Sequence, residues 1–337
     1  MLGHTIELRH SGARHRGMLC GSVSLSIEKL AHSFSFTYAE QLRPEEDPRW
    51  FAPGDSATLL FDGEVVVDGI IDSARVKHTP TALEFSVTGR SVAADIVDCT
   101  ALTRPRQFSN ATVEQITAKL VEPFGFGVRI IGGGTRPLRR FTFDKGDTAF
   151  SAVMRACKLR GLWPRYFMDD RVIELARLDA TTEEVPLVVG VNVVELDYTV
   201  DFSQRFGSYH FTGSRRATND DGETSEGENK PRFSRFLGVA KDAAISRYRP
   251  MRLQLRGGDG SGDAVTRANR ERNQRAGNSE KVSAKALGWR DRDGGLWRPN
   301  QRRLVIDDEL GIHGEMIITD VTFAWDARMK DGFVATV

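Results

Sequence analysis

Apolar residues fall on alternate positions through much of the first hundred residues: Val23, Leu25 and Ile27, then Phe34, Phe36 and Tyr38, then Leu83, Phe85 and Val87. A period of two sends successive side chains to opposite faces of an extended chain, so one face is buried and the other wetted. That pattern predicts strands and excludes an amphipathic helix. The turn chemistry agrees: Pro53, Gly54 and Asp55 form a turn within 50–55, and Asp62-Gly63 separates 57–61 from 64–72 as a hairpin signal. We expect a β-domain over residues 1–100, closed as a barrel so that no strand edge is left bare.

At Gly89 the periodicity changes. Ser91 can cap a short helix reaching Asp98, and Ser109 or Asn110 can cap a second over 112–122, stopped by Pro123 and Gly125. Phe150, Val153, Met154, Cys157 and Leu159 stripe a third helix, which begins after Asp147 and ends at Gly161. A hairpin turning at Asp169-Asp170 follows, so residues 101–180 read as an α+β insert. Strands resume over 185–199 and 208–211. Residues 217–232 lack apolar periodicity and read as a mobile acidic loop. A polar helix over 264–276, with few apolar residues to mark a buried side, is expected on the surface. Further strands at 281–287, 303–307, 315–322 and 333–337 complete a second β-barrel domain, 181–337. The last strand ends without a turn or polar tail, the pattern of a chain cut short at residue 337.

The 337 residues exceed what one core organises, in keeping with a mainly β, multidomain chain. Hydrophobic residues at 40% and charged residues at 28% exclude the disordered and collagen-like classes. No stretch approaches the roughly 20 apolar residues of a bilayer span, and the opening MLGHTIELRH lacks a signal peptide's apolar region. We therefore expect a protein made in the cytosol without membrane anchoring. A net charge of +1 argues against a dedicated nucleic-acid binder. The charge is uneven: 178–230 holds 11 acids and 4 bases, and 247–303 holds 15 bases and 6 acids. Complementary subunit faces would use that asymmetry, as would two separately solvated surfaces.

Two segments echo each other. In 50–76 and 297–323 a Trp and a Pro open a polar turn, a strand follows, an acidic turn reverses it, and a second strand carries Ile70, Ile71 and Asp72 or Ile317, Ile318 and Asp320. Either the chain carries two related β-domains or apolar hairpins have coincided.

The search for chemistry finds no catalytic, cofactor-binding or metal-binding residues to nominate. Cys20, Cys99 and Cys157 are far apart, follow no ligand spacing, and read as small hydrophobes. His4, His10 and His15 lie in an Arg-rich stretch without HExxH spacing, and no GxSxG elbow occurs. Gly132, Gly133 and Gly134 are not followed by GK[ST], so a plain loop is the better reading than a phosphate cradle. The acids Asp220, Asp221, Glu223, Glu226 and Glu228 lack EF-hand spacing, and Glu45, Glu46 and Asp47 sit between prolines. Arg267, Arg270, Arg272 and Arg275 mark a basic helix interrupted by Glu271 and free of aromatics, favouring a polar contact helix over a nucleic-acid probe.

Taken together, 89–99 (GRSVAADIVDC), 247–250 (RYRP), 288–300 (GWRDRDGGLWRPN), the PGD turn at Pro53 and the run from Asp62 to Asp72 resemble the baseplate hub family of Mu-like contractile phages and tailocins, related to late control protein D. The resemblance covers nearly the whole chain. It implies a structural late protein of the virion tail baseplate, assembled in the host bacterial cytoplasm, without cofactor or catalytic residues. It further implies a homotrimer in which each chain supplies two tube-like β-barrels, adapting the sixfold tail tube and its initiator proteins to a threefold central spike. Other baseplate proteins would surround the ring, with tape-measure protein and DNA passing through its lumen. Two rival readings are a tail-associated cell-wall hydrolase, which would turn over peptidoglycan, and a DNA-binding tail component using 247–303, which would bind duplex DNA in a salt-dependent way.

Lacking apolar anchors, the 217–232 segment is the expected first site of limited proteolysis in the isolated protein. Mass mapping of the earliest fragments tests this, and protection of that segment in the free protein refutes it.

Overall fold

The computed structural model describes residues 5–41, 51–166, 171–177, 181–182, 185–216, 233–254, 261–327 and 333–337. The chain opens with β1 (Ile6–His10), β2 (Ala13–His15), β3 (Cys20–Ser26), β4 (Ser33–Gln41), β5 (Ser56–Phe61), β6 (Glu64–His78) and β7 (Ala82–Ser91). Next come α1 (Ala94–Asp98), β8 (Gln107–Ala111), α2 (Val113–Val121), β9 (Gly127–Ile130), β10 (Leu138–Thr142), α3 (Ala149–Leu159), β11 (Trp163–Tyr166) and β12 (Val172–Ala176). The short strands β13 (Thr181–Thr182) and β14 (Leu187–Val188) precede β15 (Val193–Val200), β16 (Ser208–Arg216), β17 (Phe233–Lys241), β18 (Pro250–Gln254) and α4 (Ser261–Asn278). The chain closes with β19 (Glu280–Leu287), β20 (Gln301–Asp307), β21 (Ile312–Ile317), β22 (Asp320–Asp326) and β23 (Phe333–Thr336). It is mainly β and multidomain.

One sheet joins the two ends of the chain, in the order β15-β19-β23-β22-β3-β4-β7-β6-β5-β1-β2. The joint is the antiparallel pair of β22 with β3, running from Asp320 opposite Ser26 to Asp326 opposite Cys20. Its apolar face is dry, since Val23, Val321 and Phe323 are all 0% exposed. Gly21 makes room there for Trp325, because a Cβ on Gly21 would lie 2.3 Å from the indole. The same face continues into one core that holds Leu8, Phe34, Phe61, Phe85, Trp289 and Phe323. Phe61 and Trp289, from opposite ends of the chain, stack with centroids 4.0 Å apart.

One strand order occurs twice, the second time continued from that sheet into a neighbouring one. The first set runs β3-β4-β7-β6-β5-β1; the second runs β15-β19-β23-β22, then β21, β20 and β14 beside it. The echoing segments hold corresponding places. Ile71 donates to the Asp55 carbonyl and accepts from the Gly54 N–H, and Ile318 donates to the Gln301 carbonyl and accepts from the Asn300 N–H. Gly54 and Asn300 both adopt positive φ, 95° and 69°, as a left-handed turn residue requires.

That register refines the sequence comparison. Phe51, not Trp50, stands where Trp297 stands, and both are buried; Trp50 lies outside the described residues. Thr319 rather than Asp320 corresponds to Asp72. The sets also differ: β5 pairs antiparallel with β1, but β20 pairs parallel with β14. Among the described residues the first set shows no pairing of its first and last strands, β3 and β1, and the second shows only a bridge from Val189, just past β14, to Val193 at the start of β15.

The remaining elements form a second core. Ile116, Leu120, Phe143, Val153, Ile173 and Leu175 from the insert share it with Tyr209, Phe211, Ala264 and Ala268. Thus β16–β18 and α4 pack with the insert, and the stretch 181–337 divides its strands between two cores. The polar helix lies on the surface, with Val265, Thr266, Asn273 and Gly277 exposed and only Ala264 and Ala268 among its described residues buried. Its buried side consists of alanines, so hydropathy does not reveal it. Small side chains let α4 lie flat on β17, where a Cβ on Gly238 would sit 2.1 Å from the Ala264 backbone.

Gly238→Ala forces that helix off its sheet and lowers stability by about 1–3 kcal/mol. Gly277→Ala, where a Cβ meets open space on the same helix, leaves the calorimetric transition unlowered.

Candidate assembly interface

Eight consecutive strands, β15-β19-β23-β22-β3-β4-β7-β6, form a ribbon with chemically distinct faces. One face is the apolar side of the first core. The other is lined by hydroxyls that bond across strands: Ser22 to Ser35 at 3.0 Å, Ser24 to Thr322 at 2.9 Å and Ser73 to Thr88 at 2.8 Å. Alternating small polar and apolar residues produce both faces together.

The ribbon ends in two strand edges. At one end, β15 pairs with β19, and apart from a bridge at Val193 its other edge has no strand beside it among the described residues. Its residues from Asp197 to Val200 are all exposed. At the other end, β6 lies between β5 and β7 up to Ile71. Past an irregularity there, Ser73–His78 pairs only with β7. Val76, Tyr198 and Val200 on these edges are 36%, 36% and 52% exposed.

Arginines fasten the two strand sets together. Arg290 reaches Asp62 and Glu64 at 3.3 Å, and Arg298 pairs with the same Glu64. Arg303 is 1% exposed, lies over the Trp297 ring and donates to Asp291 at 2.8 Å. The GWRDRDGGLWRPN segment is thus a clamp between sets. Asp72 holds Arg90, which also meets Asp98 at the start of the insert.

The other sequence candidates have structural surroundings. His10 bonds Asp55 at 2.9 Å beneath the PGD turn, and this bond, with the Ala52 N–H, holds the Asp55 carboxyl below its usual range. His15 packs with His10, Tyr38 and Phe51. Cys157 is buried, which pushes its thiol up to about 12; Cys99 is exposed and Cys20 half-buried. Gly132 and Gly133 have positive φ, 88° and 98°, in the loop after β9. Arg267 and Arg275 bracket Glu271 at 3.4 and 2.9 Å. Arg270 donates to the Leu162 carbonyl at 2.6 Å and covers Trp163, and burial pulls it down to about 10. Arg270 thus fastens α4 to the insert, while Arg267 covers Phe211 on β16 and Arg275 donates to the Gln204 carbonyl. His4, Glu45, Glu46, Asp47, Asp169, Asp170 and 217–232 lie outside the described residues.

Where the two cores meet, Trp163 donates its indole N–H to the Ile27 carbonyl at 2.6 Å, and His32 bonds the Tyr166 carbonyl through Nε2 at 3.0 Å. A cavity of about 40 Å³ lies there, lined by Leu25, His32, Val66, Tyr166, Trp297 and Phe323 among others. Burial lowers the His32 pKa, so the ring is neutral. Among the described residues no group of three or more His, Cys, Asp or Glu is arranged to hold a metal ion.

Comparison with known proteins identifies relatives along most of the chain. Residues 5–91 match the N-terminal domain of Mu phage baseplate assembly protein GpP-like proteins. Residues 93–169 match the second domain of gp44-like baseplate hub proteins, and 261–337 the fourth domain of GpP. The baseplate hub protein gp44 of Escherichia phage Mu is 34% identical over 303 residues, covering 89% of this chain and 78% of that protein. The 43 kDa tail protein of prophage MuSo2 from Shewanella oneidensis superposes with a TM-score of 0.83 at 25% identity, covering 98% and 97% of the two chains. A tail protein from Neisseria meningitidis MC58 shares the fold, with a TM-score of 0.78 at 22% identity and 99% and 95% coverage.

The neutral His32 makes the joint between cores sensitive to acid. Below about pH 6.5 an unfolded histidine takes a proton that the buried one resists, so stability is lost as the pH falls through that window. Thermal unfolding at pH 7 and pH 5 should show this loss, and His32→Gln should flatten it.

Proposed function

The chain belongs to the baseplate hub family of Mu-like phages, and from that membership we propose a homotrimeric ring that adapts a sixfold tail tube to a threefold central spike. A structural subunit of the virion tail baseplate, the protein belongs to a family whose role is architectural rather than enzymatic. What carries the trimer reading is the strand order that occurs twice in the chain, the second time continued from the large sheet into a neighbouring one. A sixfold tube end offers six equal surfaces, and three chains meet them evenly when each supplies two comparable units. The strand sets of 1–100 and 181–337 are those units in this reading, with 101–180 as the insert between them.

The two faces of the ribbon suit a ring around a channel. The polar face turned to the lumen would set hydroxyls between charges of both signs, Arg75 and Lys77 toward one edge and Glu195 and Asp197 toward the other, so no uniformly basic surface would hold passing DNA or tape-measure protein. The turns at Gly54 and Asn300, equivalent in backbone and different in side chain, lie at one end of their sets and would meet the tube or its initiator proteins. The insert and α4, present once per chain, have threefold multiplicity and suit the spike and neighbouring baseplate proteins.

Light scattering of the purified protein across concentration tests the stoichiometry, with a mass of three chains expected and a ring with a central hole in electron micrographs. A stable monomer at high concentration, both alone and with spike and tube partners, overturns the trimer.

A further inference from the structure

The two ends of the eight-strand ribbon match each other, and the chain itself shows how. Four strands across, the row Cys20, Thr37, Ser86, Arg75 has the same pairings as the row Glu195, Lys285, Thr336, Thr322. Counting along each strand from that row makes Ser73–His78 the counterpart of 320–325 on β22. It also makes 196–201 the counterpart of 21–26 on β3. The turn bonds of Ile71 and Ile318 give the same alignment independently. Within the chain, β22 and β3 are bonded to each other. Their counterparts, the outer half of β6 and the open edge of β15, lie at opposite ends of the eight-strand ribbon.

We infer that these edges pair between neighbouring copies of the chain, antiparallel and in the register of the β22–β3 joint. Carried over, that register sets Ala74 opposite Val200, Val76 opposite Tyr198, Lys77 opposite Asp197 and His78 opposite Leu196. Val76 and Tyr198, exposed on the edges, then meet where the internal joint buries Phe323 against Val23, and the exposed Val200 meets Ala74 where the joint sets Leu25 against Val321. Bulk is redistributed across one pair: Trp325 sits over Gly21 inside the chain, and His78 would sit over Leu196. On the polar face the edges differ in sign. Arg75 and Lys77 lie on one, Glu195, Asp197 and Asp201 on the other.

The pairing extends the backbone ladder, and the charges select its partner. Two β6 edges brought together would set basic strands against each other, and two β15 edges acidic ones. Each copy therefore offers one donor and one acceptor, a head-to-tail contact that closes as a ring. The inference rests on the trimer reading only for the number of copies.

Disulfide trapping tests the junction on the full chain in a Cys99→Ser background, which removes the exposed native thiol. Lys77→Cys with Asp197→Cys should cross-link between chains on mild oxidation and close at a circular trimer. Lys77→Cys with Tyr198→Cys, one residue out of register and on the other face, should not. Lys77→Asp should weaken assembly roughly tenfold, with recovery when Asp197→Lys is added. A trimer without the first cross-link, equal cross-linking of both cysteine pairs, or no cross-link at any concentration overturns the junction. A cross-linked ring of another size supports the junction and overturns the trimer.

Discussion

The ladder between β3 and β22 is the constraint on which the rest of the structure hangs. It joins residues 298 positions apart, as at Ser24 and Thr322, and makes one sheet out of strands from both ends of the chain. Loop-closure entropy grows only slowly with length, so so distant a pairing is tolerable when it completes a continuous apolar face. Phe61 against Trp289 and Val23 beside Phe323 complete that face. Arg290 and Arg298 then close over the seam, with Glu64 as their shared anchor.

The repeat built on this sheet is a repeat of backbone more than of side chains. Gly54 and Asn300 reach the same left-handed conformation by different means, one lacking a Cβ and the other tolerating the strain through its short polar side chain. Phe51 and Trp297 fill the same place, and Gly21 and Leu196 fall at equivalent positions although one is covered by an indole. Equal hydrogen-bonding geometry with unequal surfaces is what the proposed ring would require of a subunit that repeats itself on one side and not on the other.

The second core is built on another principle. Helix α4 approaches its sheet through Ala264, Ala268 and Gly238, and charged side chains do the fastening around that contact. Arg270 spans Trp163 and the Leu162 carbonyl, and Arg205 pairs with Asp242 at 2.7 Å. The stretch from Arg247 to Arg303, read by charge alone, has a basic excess; in the fold many of these arginines hold elements together. Polar bonds that join the two cores include His32 to Tyr166, Trp163 to Ile27 and Arg90 to Asp98.

How much of this was legible in the sequence follows from the range of each interaction. Alternation at Phe34, Phe36 and Tyr38 and the helix stripe from Phe150 to Leu159 are local signals, and the elements formed where they stood. The paired turns at Pro53 and Pro299 were visible because a sharp turn needs Pro, Gly or Asn whatever surrounds it. The family resemblance lay in such short segments too. The packing face of α4 was not legible, since alanines and a distant glycine carry no hydropathic signature until they meet. Nor was the division of residues 181–337 between two cores, because strand partners are chosen by shape across long separations. The sequence by itself determined which residues extend, turn and coil; only the tertiary structure decided which edges found partners and which were left open, because a hydrogen-bonding edge is a property of neighbours and not of residues.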